Sequence, residues 1–358
     1  MSANYFSSDY FEARNKFLEA AAQNVGAIKS IIHPNAKGPE GRDLHMDLAV
    51  FGDPNSKSLL VIISGTHGPE GYCGSGVQTG LLRQGLISQW GEHTKIAFIH
   101  AHNPYGFAWD TRFNEDNIDL NRNYLADFSA PLPQNPAYAA LHKWAAPQSL
   151  DDETMADVQS HLLEYANKNG FPALQAALSS GQYQFPEGVY YGGSAPSWSR
   201  NTLISMFDEI TVGVEKMVVV DMHTGLGPFG VGEILISLPT GSKETAFCEE
   251  IWGDEVHSTK VASVSADLSG TLDEFLAHKY GAIKNAIMAL EFGTIDPLSV
   301  FKSTQIGSWL HRRGDKNAPY ADKLRQFSRD AFYPQGEEWS GKVWTRSLEV
   351  ITKAVNNL

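Results

Sequence analysis

Short apolar runs punctuate the chain at residues 28–33, 45–51, 59–63, 96–100, 217–220, 234–238 and 287–290. Each is long enough for a strand and too short for a helix. The stretch 7–24 has a different period. Phe11, Leu18 and Ala22 recur at helical spacing, Ser7 or Ser8 can cap the start, and Gly26 follows the end. Residues 151–169 and 200–210 also read as helices. Strands alternating with helices predict an α/β domain around a largely parallel sheet. The first runs lie close enough in sequence to pair as hairpins, so the sheet is expected to be mixed. Nothing repeats, and no low-complexity tract interrupts residues 1–358, which read as a single domain. Residues 130–200 stand apart, with Pro-, Gln- and Ala-rich helical stretches ending in VYYGGSAPSWSR. They read as a helical insertion over one end of the sheet, expected to cap the site there and to restrict it to small substrates.

Composition narrows the picture. A single domain of this length buries roughly 75% of its unfolded surface, so it folds without covalent staples. Lys and Arg total 28 against 41 Asp and Glu, a net charge of −13. That balance argues against general binding to nucleic acid or anionic membranes, because phosphate attracts basic patches. The two cysteines, Cys73 and Cys248, exclude a disulfide framework and a four-cysteine metal site. The first residues lack the basic and apolar regions of a signal peptide. No apolar run approaches the ~20 residues that span a bilayer. The expected location is the cytoplasm.

Four segments carry candidate chemistry. In SLLVIISGTHGPEGYCGSG a buried run enters a Gly-rich turn, placing His67 and Glu70 just past the carboxyl end of a strand. Open α/β sheets usually bind ligands there. Imidazole and carboxylate three residues apart can reach one ion, and the pair suits Zn²⁺. In KMVVVDMHTG a second run ends in Asp221 and His223. His223 alone reads more readily as a hydrogen-bonded structural histidine. Taken with His67 and Glu70 it completes three protein ligands, which leaves a fourth position for water. Asp221 shares its strand face and is placed to orient or polarise this region. In AIMALEFGT the run ends at Glu291, costly to bury unless solvated or paired, and suited to proton transfer with water beside a metal. The segment NPYGFAWDTRFNEDNIDLNRNY holds Arg112, Asp119, Asn121 and Arg122. Two guanidiniums and an amide can clamp a carboxylate by paired hydrogen bonds.

The ordered set HGPEG, NPYGF, an Arg, DLNRN, DMHTG and LEFGT resembles the zinc carboxypeptidase family. It extends from about residue 58 to residue 294, in a spelling closer to a bacterial branch than to the digestive enzymes. The resemblance implies a mixed, twisted β-sheet flanked by helices on both faces, and one Zn²⁺ per chain. It implies His67, Glu70 and His223 as metal ligands and Glu291 as the general base. It implies Arg112 as the group that polarises the scissile carbonyl. Asn121 and Arg122 match the pair that binds the substrate's terminal carboxylate, and Asp119 matches the carboxylate that orients the first histidine ligand. One position departs from the family pattern. A mobile tyrosine normally precedes the Gly-rich turn before the general base, and here SVSADLSGTLDEF sets Ser265 near it. Tyr190 and Tyr191 are the candidates to replace that tyrosine.

The expected activity is cleavage of an amide next to a free carboxylate, on a small peptide or an acylated amino acid. Related amidohydrolases lack the tyrosine and act on acylated amino acids, so an N-acyl amino acid deacylase is the alternative. A zinc-bearing protein that only binds is the second. A serine hydrolase fits poorly, because neither Ser64 nor Ser75 lies in a G-x-S-x-G elbow.

Overall fold

In the computed structural model, which describes residues 2–259 and 268–358, the seven apolar runs become seven of the eight strands of one sheet. They are β1 (Gly26–Lys37), β2 (Asp43–Phe51), β3 (Ser58–Ile63), β4 (Lys95–His100), β5 (Lys216–Phe229), β6 (Gly232–Ile236), β7 (Val256–Ser258) and β8 (Lys284–Gly293). Their spatial order is β1-β2-β4-β3-β5-β8-β6-β7. The central strands β4, β3, β5 and β8 are parallel, and β6 and β7 also pair in parallel. The pairs β1/β2, β2/β4 and β6/β8 are antiparallel. The sheet is therefore mixed, as the short spacing between the first runs predicts.

Helices cover both faces. Leu59, Leu60, Val61, Ile62 and Ile63 of β3 are all fully buried, which explains why the strand reads as an unbroken apolar run. Each contributes roughly 1.5–3 kcal/mol by leaving water. Leu60 and Ile62 pack with the helices Tyr10–Ala22, Gly71–Arg83, Lys243–Trp252 and Glu337–Asn356. Leu59, Val61 and Ile63 pack on the other side with Trp198–Ile210 and Leu272–Lys279.

Several boundaries differ from the sequence reading. The first helix starts at Tyr10, because Asp9 rather than Ser7 or Ser8 caps it by accepting from the amides of Phe11 and Glu12. Its buried stripe is Tyr10, Ala13, Phe17 and Ala20, with Phe11 and Leu18 at the flank and Ala22 exposed. The strand β7 is three partly exposed residues, too short and too polar to stand out. The strand β5 continues nine residues beyond its apolar run, to Phe229. Asp221 and His223 lie inside it, because their polar atoms find buried partners and the ladder need not stop.

Residues 130–200 contribute the helices Pro136–Ala145, Asp152–Asn169 and Phe171–Ser179. They surround their own apolar cluster, including Tyr138, Leu141, Val158, Leu162, Leu174 and Leu178. The chain then returns against the loop that carries Asp119. The Asp119 amide donates to Tyr191 O (2.8 Å), and Asn123 Nδ2 donates to Gly192 O (2.7 Å). Among the described residues, no helix is long and apolar enough to cross a membrane.

Candidate metal centre

Side chains two apart on a strand share a face. Val219, Asp221 and His223 therefore point the same way from β5, as Ile287, Ala289 and Glu291 do from β8. The parallel register places His223 directly beside Glu291 and Asp221 beside Ile63. His67 and Glu70 lie in the turn between β3 and the helix Gly71–Arg83. Glu70 occupies the residue before that helix without capping it, so its carboxylate is available to the site. The first turn of this helix lies almost against β3. A Cβ at Gly74 would stand 2.6 Å from Ser64 Cβ and 3.0 Å from Met222 Cβ, so only glycine fits.

The donor atoms of His67, Glu70 and His223 all lie within 4.8 Å of one another, and all three residues are buried. His67 Nδ1 is 2.8 Å from Glu70 Oε1, and His223 Nδ1 is 3.0 Å from Glu70 Oε2. The far nitrogens are backed by carboxylates. His67 Nε2 is 3.2 Å from Asp119 Oδ1, and His223 Nε2 is 2.7 Å from Asp221 Oδ2. The carboxylate of Asp221 fixes the His223 ring and favours the tautomer that offers Nδ1, whereas His67 Nε2 has both Asp119 and a donor of Arg112 beside it. An ion held tetrahedrally at ~2.0–2.1 Å separates its donors by roughly 3.3 Å, close to the two histidine–carboxylate distances here. The donor set fits Zn²⁺.

Electrostatics support the same reading. Glu70 and Asp119 gather against the guanidinium of Arg112. Burial alone would raise Glu70, but His67 and His223 outweigh it and hold the carboxyl below the ordinary range. Burial likewise opposes ionisation of Asp119, and Arg112 and His67 overcome it. Burial lowers His223, yet Asp221 and Glu70 leave it well above the usual imidazole value. Glu291 is pushed up to about 7, by burial first and by the charge of Glu70 second. Its Oε1 accepts from the Leu226 amide (3.0 Å).

Arg112 spans the site. Its Nε donates to Asp119 Oδ2 (2.9 Å), one terminal nitrogen to Glu70 Oε1 (3.3 Å), and the other lies 2.8 Å from His67 Nε2. The ring of Tyr190 lies beneath this guanidinium, 5.2 Å from centroid to Cζ. Tyr190 has a φ of 54°, a strained conformation for a bulky residue, at a cost of order 1–3 kcal/mol. Of the two candidate tyrosines, Tyr190 lines the cavity, whereas Tyr191 packs with Ile118 and Leu120. Ser265 lies outside the described residues.

The described residues around the metal group enclose a cavity of about 460 Å³. Asn121 and Arg122 line it, but both also hold backbone. Asn121 Oδ1 accepts from the Leu272 amide (2.9 Å). Arg122 donates to the carbonyls of Asn121 (2.6 Å) and Ser179 (2.7 Å). Pro172, Gln175, Ala176 and Ser179 of the helix Phe171–Ser179 form the adjoining wall. The sequence reading missed Thr66, His102 and Tyr124, which stand behind Asp221. Thr66 and Tyr124 lie within the quoted segments and His102 just before one, but only the strand order places the three together.

Fold and site together define an α/β protein whose mixed sheet carries a buried His–Glu–His group able to hold a metal ion. The chain belongs to the family described as Protein of unknown function (DUF2817), whose model matches residues 6–346. No curated protein matches the sequence. Among solved structures, the chain is similar to a metallo-carboxypeptidase from Burkholderia cenocepacia, with 16% identity and a TM-score of 0.46 over 98% of this chain and 70% of that one. It is similar to the carboxypeptidase A of Helicoverpa armigera, with 13% identity and a TM-score of 0.47 over 92% and 75%. It is also similar to an aspartoacylase family protein from Mesorhizobium loti, with 15% identity and a TM-score of 0.39 over 81% and 68%.

Proposed function

We propose that this protein is a zinc-dependent hydrolase that cleaves an amide bond next to a free carboxylate. The carrying observation is the convergence of His67 Nδ1, His223 Nδ1 and the Glu70 carboxylate, with Asp119 and Asp221 behind the two rings. A zinc ion bound there would supply Lewis acidity to water and to a carbonyl oxygen. Glu291 takes a proton from water, the resulting hydroxide adds to the amide carbon, and Arg112 donates to the oxygen that gains charge. Glu291 then gives its proton to the amine nitrogen as the carbon–nitrogen bond breaks. Arg122 and Asn121 hold the substrate carboxylate at the insertion side of the cavity. Cys73 and Cys248 are free and buried, in keeping with a reducing compartment such as the cytoplasm.

The cavity is in the lower half of the ~300–1,000 Å³ range of small-molecule sites, and the inserted helix closes it beside Arg122. That wall favours short substrates, so an N-acyl amino acid deacylase is the second reading. The deciding experiment is zinc analysis of the purified protein followed by turnover of dipeptides and of N-acyl amino acids in parallel. Zinc at one per chain with hydrolysis of either set is expected, and the preferred set separates the two readings. Full zinc occupancy without turnover of any amide would leave a zinc-binding protein and reject the hydrolase.

A further inference from the structure

The carboxyl edges of β4, β3 and β5 lie side by side, and each contributes one polar group to a buried row. His102 follows β4, Thr66 follows β3, and Asp221 belongs to β5. The backbone zips the first two exits together, since the His102 amide donates to Ser64 O (2.9 Å) and the Asn103 amide to Gly65 O (2.7 Å). Thr66 Oγ1 lies 2.8 and 3.0 Å from the two oxygens of Asp221 and 3.1 Å from His102 Nδ1. His102 Nε2 lies 2.8 Å from the hydroxyl of Tyr124. Thr66 and His102 are fully buried, and Tyr124 and Asp221 nearly so.

Hydrogen counting gives this row one direction. The Thr66 hydroxyl has a single proton, and the carboxylate of Asp221 takes it. Toward His102 the Thr66 oxygen can then only accept, so His102 carries its proton on Nδ1. An imidazole with one proton leaves Nε2 bare, and that nitrogen accepts from the Tyr124 hydroxyl. We propose that Tyr124, His102 and Thr66 form a positioning relay that fixes Asp221 and thereby keeps His223 turned with Nδ1 toward the metal. None of the three touches the reacting atoms. The inference rests on the reading that His67, Glu70 and His223 hold zinc.

The test uses the full chain and zinc alone as probe, with affinity read by competition against a chromophoric chelator. Groups that orient a metal-bound histidine typically change affinity 10–100-fold when removed. Thr66→Val, which keeps the shape and loses the hydroxyl, is expected to weaken zinc binding about tenfold. Thr66→Ser, which restores the donor, should bind within about twofold of the native protein. Tyr124→Phe releases the far end with the ring in place, and should weaken zinc less, in the same direction. Zinc binding by Thr66→Val and Tyr124→Phe equal to that of the native chain would overturn the relay. A second arm reads histidine tautomers by nitrogen-15 NMR on the metal-free protein, where His102 is expected with its proton on Nδ1. A proton on Nε2 would overturn the relay even if zinc binds. Failure of the native chain to bind zinc would sink the proposed function, and the tautomer would still decide the relay.

Discussion

His223 of β5 and Glu291 of β8 are register partners on adjacent parallel strands, with their side chains on the same face of the sheet. The ladder that joins the two strands thereby sets the spacing between a candidate metal ligand and the candidate base, so no loop has to be ordered to bring them together. Glu291→Gln keeps the shape and removes the basicity. It should retain zinc at one per chain and lower kcat by about 10²–10⁴. Zinc analysis and steady-state kinetics on one preparation check this, and unchanged kcat would exclude Glu291 as the base.

Arg112 donates to Asp119 and Glu70 and faces the cavity. Arg112→Ala should lower kcat about 10²–10³-fold, as loss of one donor to a developing oxyanion does. Circular dichroism should show the fold retained. Near-native kcat would remove Arg112 from that role.

Zinc that binds only the native state stabilises it by mass action, by about 4 kcal/mol at a thousandfold excess over Kd. Adding zinc to chelator-stripped protein should therefore raise Tm by several degrees. His67→Ala should abolish the rise. The same rise in that variant, measured by calorimetry, would place the stabilising ion elsewhere.

Asp110 is buried, with a φ of 49°, and accepts from the Tyr72 hydroxyl (2.8 Å). Burial pushes its carboxyl from 3.8 up to about 7, with Arg329 opposing in part. The native state thus holds a proton that the unfolded chain has released. Stability on this account is full below pH 4, falls between about 4 and 7, and stays lowered above. Asp110→Asn keeps an acceptor for Tyr72 and tolerates the positive φ. Urea denaturation should show the variant gaining on the native protein between pH 5 and pH 8. A constant difference between the two across that range would contradict the assignment.

Gly74 brings the helix that follows Glu70 against Ser64 and Met222. Gly74→Ala must push that helix outward, at a cost of about 1–3 kcal/mol. Glu70 would move with it, so denaturant unfolding and zinc affinity should both register the change. Native zinc affinity in a destabilised variant would show that Glu70 is held independently of its helix.

The strands were legible because β3, β4 and the first part of β5 are buried on both sides and spell continuous apolar runs. The metal group was legible because His67, Glu70 and His223 sit where such runs end. The extension of β5 was not, because Asp221 and His223 are polar residues that pair with each other and find further partners, Thr66 and Glu70, in the turn after β3. The first helix was misplaced by two competing caps, since Asp9 outperforms Ser7 and Ser8 only once its contacts to Phe11 and Glu12 are seen. The relay through Thr66 and His102 has no local signature at all. It exists only because β4, β3 and β5 are neighbours in the sheet, an order that spacing along the chain does not reveal.

The carbonyl of Ser179, last residue of the helix Phe171–Ser179, accepts from the guanidinium of Arg122. The proposed anchor of the substrate carboxylate thus leans on this helix, whereas His223 and Glu291 are set by the ladder between β5 and β8. Under the proposed function, substitutions along that helix would change which molecules the cavity admits and leave the side chains at the strand ends untouched.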